Sequence, residues 1–133
     1  MAFLLDTDVA IHLRDGSDDV WTRIRALDPP FSLSIVSRVE LENGVYREPP
    51  YAGLKRSALD ALLTEISTID FGDQELGRYR AILEAAGFTK NKINDRMIAA
   101  TALAHDLTLI TMNGRDFRDV PGLKLVVWET PDP

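Results

Sequence analysis

NDRMIAATALAHDLTLITMNGRDF, residues 94–117, reads as a helix, a strand and an acidic turn in immediate succession. Asp95 and Asp116 bracket it. Asp95 shares a stripe with Ile98, Ala99 and Ala102, whose three- and four-residue spacing puts a carboxylate on the same helix face as the apolar side chains. A bare carboxylate facing a core is costly. It is tolerated where a helix N-terminus, a cation or both compensate it, so the position of its partners becomes the question.

Working outward, the same alternation of strand and helix recurs. Ala2 to Leu5 is a short apolar run that stops at Asp6-Thr7-Asp8, as a buried parallel strand delivering acids at its carboxyl end would. Val9 to Arg14 follows as a short helix, and Ser17 caps a second with the stripe Val20, Trp21, Ile24, Leu27. Asp28-Pro29-Pro30 ends that helix, and Phe31 to Val36 is the next strand. Ser37-Arg38-Val39-Glu40 has the capping-box pattern and predicts a helix to about Tyr46, with Glu40 in its first turn. Ala52 to Glu65 reads as a helix with Leu54, Ala58, Ala61 and Leu62 inward, and Ile66 to Phe71 as a short strand or extended connection. Asp73 opens a further helix closed by Gly87. Past the central stretch, Lys124 to Trp128 is the last strand. The sum is an α/β sandwich of three layers, a mostly parallel central sheet between helices, formed by residues 1–133 as one domain.

The bulk numbers narrow the function. A chain of 133 residues with 45% hydrophobic side chains buries one proper core. It has no cysteine, which excludes disulfides, zinc–thiolate sites and thiol catalysis and agrees with a cytoplasmic protein. The opening MAFLLDTDVA lacks a basic segment, and acids interrupt its apolar run early, so neither a signal peptide nor a membrane span is expected. A formal net charge of -6 argues against nucleic-acid binding through a global basic field, so any such role must rest on local cations.

Parallel α/β sheets place the carboxyl ends of strands and the N-termini of helices at one edge. Asp6, Glu40, Asp95 and Asp116 are all expected there. Each acid alone has an ordinary structural explanation, as a strand end, a capping box, a helix-dipole partner or a turn residue. Their convergence is what points to chemistry. Four crowded carboxylates do not all stay ionised without a cation, and oxygen-only ligands favour magnesium or manganese. The reaction implied is metal-assisted phosphoryl or phosphodiester hydrolysis by an activated water. Thr111 and Asn113 are placed to position a water or a carboxylate, and Lys90, Lys92, Arg96 and Arg115 are the local candidates for phosphate contacts. His12 and His105 read as lone surface residues.

The order LLDTDVAIHL, SIVSRVELENG, NDRMIAATALAHDLTLITMNGRDF, GLKLVVW resembles the PIN-domain family, and more closely its VapC-type ribonuclease toxins. The likeness runs from Leu4 to Trp128. It implies that Asp6, Glu40, Asp95 and Asp116 form an acidic metal-binding set for Mg²⁺ or Mn²⁺, with Thr7, Ser37 and Asn113 as polar positions around it. It also implies an endoribonuclease acting on RNA, a homodimer, and a small VapB-like antitoxin. The antitoxin's groove would involve Ile11, Leu13, Trp21, Ile24 and the helix from Ala52. Asp8 departs from the neutral polar residue common at that position, which leaves its role open. Two other readings remain at this point. LLDTDV also resembles the nucleophile loop of haloacid-dehalogenase-like phosphatases, with Asp6 forming an aspartyl-phosphate and Asp8 as acid/base, and the fold also suits a non-catalytic interaction module.

Overall fold

The computed structural model describes residues 2–132. Five strands, β1 (Phe3–Leu5), β2 (Phe31–Ser34), β3 (Ser67–Ile69), β4 (Thr108–Thr111) and β5 (Lys124–Val127), form one sheet in the order β3-β2-β1-β4-β5. Every pairing is parallel, so the expectation of a mostly parallel sheet is met in full. From β1 the chain builds outward to β2 and β3, then crosses to the other side for β4 and β5. The strand order therefore reverses between β1 and β4, and a crevice opens outside the carboxyl ends of strands at such a point.

Alternation along the strands sends side chains to two cores. Phe3, Leu5, Leu33 and Ile110 face the layer made by α1 (Thr7–Arg14), α2 (Asp18–Arg25) and α4 (Ala52–Leu63), with Leu41 and Val45 of α3 (Ile35–Tyr46). Leu4 and Leu109 face α5 (Asp73–Ala86) and α6 (Ile93–Ala104). Burying each such side chain contributes roughly 1.5–3 kcal/mol, which is what fixes the sheet edge that carries the acids. In α6 the run Ile98 to Ala102 is buried all round, a wider face than the stripe Ile98, Ala99, Ala102 foretold, because α5 and the sheet cover it from different sides. The small alanines let those layers approach closely.

Three local expectations are corrected. Strand β2 stops at Ser34, and Ile35 and Val36 already belong to α3. The cap is Ser34, whose Oγ accepts from the Val36 amide at 3.1 Å; Ser37 lies inside the helix and caps nothing, and Glu40 falls one turn deeper than foreseen. In α4 the inward residues are Leu59 and Leu62, whereas Leu54 is 74% exposed and Ala61 is also outward. Apolar residues cover more than half the circumference of α4, so spacing alone does not choose its buried face. His105 is bonded to the buried Glu75 at 2.9 Å, which ties α5 to the end of α6. Among the described residues no helix is long and apolar enough to cross a membrane.

Because Ser34 is the true cap and is fully buried, Ser34→Ala is expected to lower unfolding stability by about 1 kcal/mol. A denaturant titration would show it as an earlier midpoint with unchanged slope, and an unmoved midpoint would discard the cap assignment.

Candidate active site

The crevice at the strand reversal is lined by Asp6, Thr7, Asp8, Ile11, Glu40, Asp95, Asn113 and Asp116. All four predicted acids meet there. Asp6 ends β1 and caps α1: its Oδ1 accepts from the Thr7 amide at 2.8 Å and its Oδ2 from the Thr111 hydroxyl at 2.7 Å. Two donors and the positive end of α1 make a carboxylate only 6% exposed tolerable. Glu40 reaches back from the second turn of α3 and accepts from the Thr7 hydroxyl at 2.6 Å, while the Ser37 hydroxyl stands 2.9 Å from that same Thr7 oxygen. Since Thr7 has one proton, the Ser37 hydroxyl is the group free to donate back to it. Asp116 sits in the 3₁₀ turn Gly114–Phe117 and accepts from the Asn113 side-chain amide at 2.5 Å. The Asn113 backbone amide in turn donates to the Thr111 hydroxyl oxygen at 3.0 Å. Thr7, Ser37, Thr111 and Asn113 therefore all hold carboxylates or one another, as a set of polar supports should.

Asp8 joins the cleft and accepts from the Val9 amide at 2.7 Å and the Met112 amide at 3.0 Å. The Met112 bond straps the start of α1 to the end of β4. The spacing Asp6-x-Asp8 showed a second acid, but only the parallel pairing of β1 with β4 shows that it faces Met112.

The electrostatics are those of crowded anions. Burial first, and then Asp8, push the Asp6 carboxyl up to about 7, although the bonds from Thr111 and Thr7 pull the other way. Burial, followed by the charges of Asp116 and Glu40, pushes Asp95 up to about 6. Asp8 is raised by burial against the pull of the Met112 and Val9 amides. Neither lysine nor arginine lines the cleft among the described residues, so no such side chain there neutralises the acids. Among those residues no three acid or histidine side chains stand as a ready cage that could hold a metal ion. The oxygens of Asp6, Asp8, Glu40 and Asp116 are held instead by the hydroxyl and amide donors named above. Magnesium keeps several of its waters and needs few direct ligands, so an open, oxygen-only donor set fits it without such a cage.

The four cationic candidates separate. Lys90 and Arg115 are exposed, and Lys92 is half-buried with its Nζ 3.5 Å from Asp119. Arg96 is not a phosphate contact: it is 2% exposed and its guanidinium points to Asp119 and the Gly87 carbonyl. An arginine next to an active-site acid suggested the wrong partner because Asp119 lies 23 residues further along the chain.

A sequence model of the PIN domain matches residues 3–123. The chain belongs to the PIN-domain family. Among PIN proteins it is similar to ribonuclease VapC2 of Rickettsia felis, 30% identical over 135 residues that span 97% of this chain and 99% of the relative. It is also 25% identical to the tRNA(fMet)-specific endonuclease VapC of Salmonella typhimurium, across 96% of this chain and 98% of that one. The toxin–antitoxin pair VapBC2 of Rickettsia felis, solved with a DNA fragment from its promoter, contains a chain that superposes with a TM-score of 0.85 at 27% identity, covering 97% of this chain and all of the other. PIN membership, with Glu40 facing the same cleft as Asp6, replaces the haloacid-dehalogenase-like reading, which had left Glu40 without a role.

The raised carboxyls set the pH response of the metal-free protein. Folded Asp6 and Asp95 hold protons at a pH where the unfolded chain has released them, so their contribution to stability is complete below about pH 4 and is lost as the pH rises through about 6 to 7. Melting in EDTA is expected to show stability declining across that window, and Asp95→Asn to flatten the decline and raise the melting temperature at pH 8. A lower melting temperature for Asp95→Asn at that pH would mean that the carboxylate serves the fold.

Proposed function

We propose that the protein is a Mg²⁺- or Mn²⁺-dependent endoribonuclease, the toxin of a toxin–antitoxin pair. The observation that carries this reading is the convergence of Asp6, Glu40, Asp95 and Asp116 on one cleft that, among the described residues, neither lysine nor arginine lines. The VapC names of its full-length relatives supply the substrate class.

Asp6, Glu40, Asp95 and Asp116 would hold the metal. Bound there, a divalent cation supplies charge neutralisation at the phosphate and lowers the pKa of the attacking water. The chain's own part is positioning. Thr111 orients Asp6, Thr7 orients Glu40 with Ser37 behind it, and Asn113 orients Asp116, so these three carboxylates each present a fixed oxygen to the cleft, while Asp95 is placed by the first turn of α6. Preset ligands spare the reaction the cost of gathering four like charges. Lys90 and Arg115, exposed and near Asp95 and Asp116 in the sequence, would take RNA phosphates, a local solution for a chain whose net charge is -6.

The same reading includes a small VapB-like partner, a homodimer and a cytoplasmic site of action. The groove for the partner lies between α1, α2 and α4, where Leu13, Trp21, Ala58 and Ala61 line one hollow and Tyr51, Leu54 and Ala58 another. Solved relatives are toxin–antitoxin complexes, which supports a partner of this kind. The outward Leu54 of α4 gains a purpose if a second chain covers it.

The test is direct. Purified protein with mixed structured RNAs and Mg²⁺ or Mn²⁺ is expected to cut, to stop in EDTA, and to lose about 100-fold or more of its rate in Asp6→Asn and Asp95→Asn. Cleavage that persists in EDTA or in both variants would reject the assigned site. A well-folded protein with no cleavage at all would favour the interaction module.

A further inference from the structure

Arg96 is the largest of the fully buried side chains, and it is a cation. Its Nη2 donates to Asp119 Oδ2 at 3.0 Å, its Nη1 donates to the Gly87 carbonyl, and its buried Nε has no partner among the described residues. A buried ion pair is weak evidence for stability, since apolar side chains of similar shape often serve as well or better, and an orphaned N–H makes this one poorer still. Stability alone is therefore an incomplete reason for it.

Its place along the chain supplies another. Arg96 directly follows Asp95 in the first turn of α6, and Asp119 comes three residues after Asp116. One bond thus ties the helix start that carries Asp95 to the segment that carries Asp116, and the Gly87 carbonyl anchors the same guanidinium to the end of α5. Those two carboxyls meet in the cleft, close enough to hydrogen-bond each other, so a negative charge on both would push them apart. The guanidinium does not line the cleft, so it acts on the acids through position and not as their counter-ion.

We propose that the Arg96–Asp119 pair is a clamp that holds Asp95 and Asp116 at a separation suited to a shared divalent cation. Arg96 is then a positioning residue. This inference rests on the metal reading above, and the two fail differently.

The test measures the Mn²⁺ dissociation constant by electron paramagnetic resonance, well below each protein's melting temperature. Arg96→Met and Asp119→Asn are expected to weaken Mn²⁺ binding about 10-fold, the usual cost of losing a group that orients metal ligands. Arg96→Lys should fall between, because an ammonium reaches Asp119 without the fork that also holds Gly87. The double variant Arg96→Met/Asp119→Leu separates positioning from folding. It replaces the ion pair with apolar side chains, is expected to melt no lower than the wild type, and should still bind Mn²⁺ about 10-fold more weakly. Folded variants that bind Mn²⁺ as the wild type does would overturn the clamp alone. A wild type that binds no Mn²⁺ would overturn the clamp together with the metal reading. If Arg96→Met does not fold, Asp119→Asn decides, since it leaves the guanidinium in place and alters a half-exposed partner.

Discussion

Carboxylates that face one another repel, and here the fold holds four of them at one edge of a sheet. The structure depends on resisting that repulsion. It does so with burial elsewhere: two apolar cores on opposite faces of the sheet fix the strand ends, and the strand ends fix Asp6 and the Thr111–Asp116 segment. The remaining cost is met locally by the N-terminus of α1 and by hydroxyl and amide donors, and what those do not offset appears as carboxyl groups that hold protons near neutrality. A divalent cation bound there would remove that residue of strain. The stability of the metal-free protein and the affinity for metal proposed for the site would in this sense be two sides of one constraint.

Much of this was legible in the sequence, for a stated reason. Short apolar runs ending in acids, followed by helical spacing, define parallel strands with their ligating ends at one edge, and the topology brings together every acid so read. What was not legible depended on contacts between distant segments. Ser34 and Ser37 both precede a helical pattern, and only the pairing of Ser34 with β3 shows that the strand continues to that residue before the helix begins. The apolar surface of α4 wraps too far round for spacing to reveal that Leu59 points in and Leu54 out. Arg96 looked like a phosphate contact because its neighbour in sequence is an active-site acid, whereas its neighbour in space is Asp119.

The two faces of the sheet divide the labour. On one, α5 and α6 pack closely through alanines, and a buried arginine braces the segments that bear Asp95 and Asp116. On the other, α1, α2 and α4 leave hollows where Leu13, Trp21, Tyr51 and Leu54 stand among Arg14, Arg25, Lys55 and Glu65, mixed surface that suits a second chain. Ile11 of α1 lines the acid cleft while packing against the core beneath that groove, so a chain seated there would lie within reach of the site. Chemistry and control would thus share a single short helix.

The central claim is that one divalent cation site is built from Asp6, Glu40, Asp95 and Asp116. A crystal soaked in Mn²⁺ and measured at the manganese absorption edge tests it without reference to activity. The account predicts an anomalous peak within coordinating distance of these carboxylates, lost in Asp95→Asn. A well-ordered cleft with no peak, or a peak coordinated elsewhere on the protein, would contradict it.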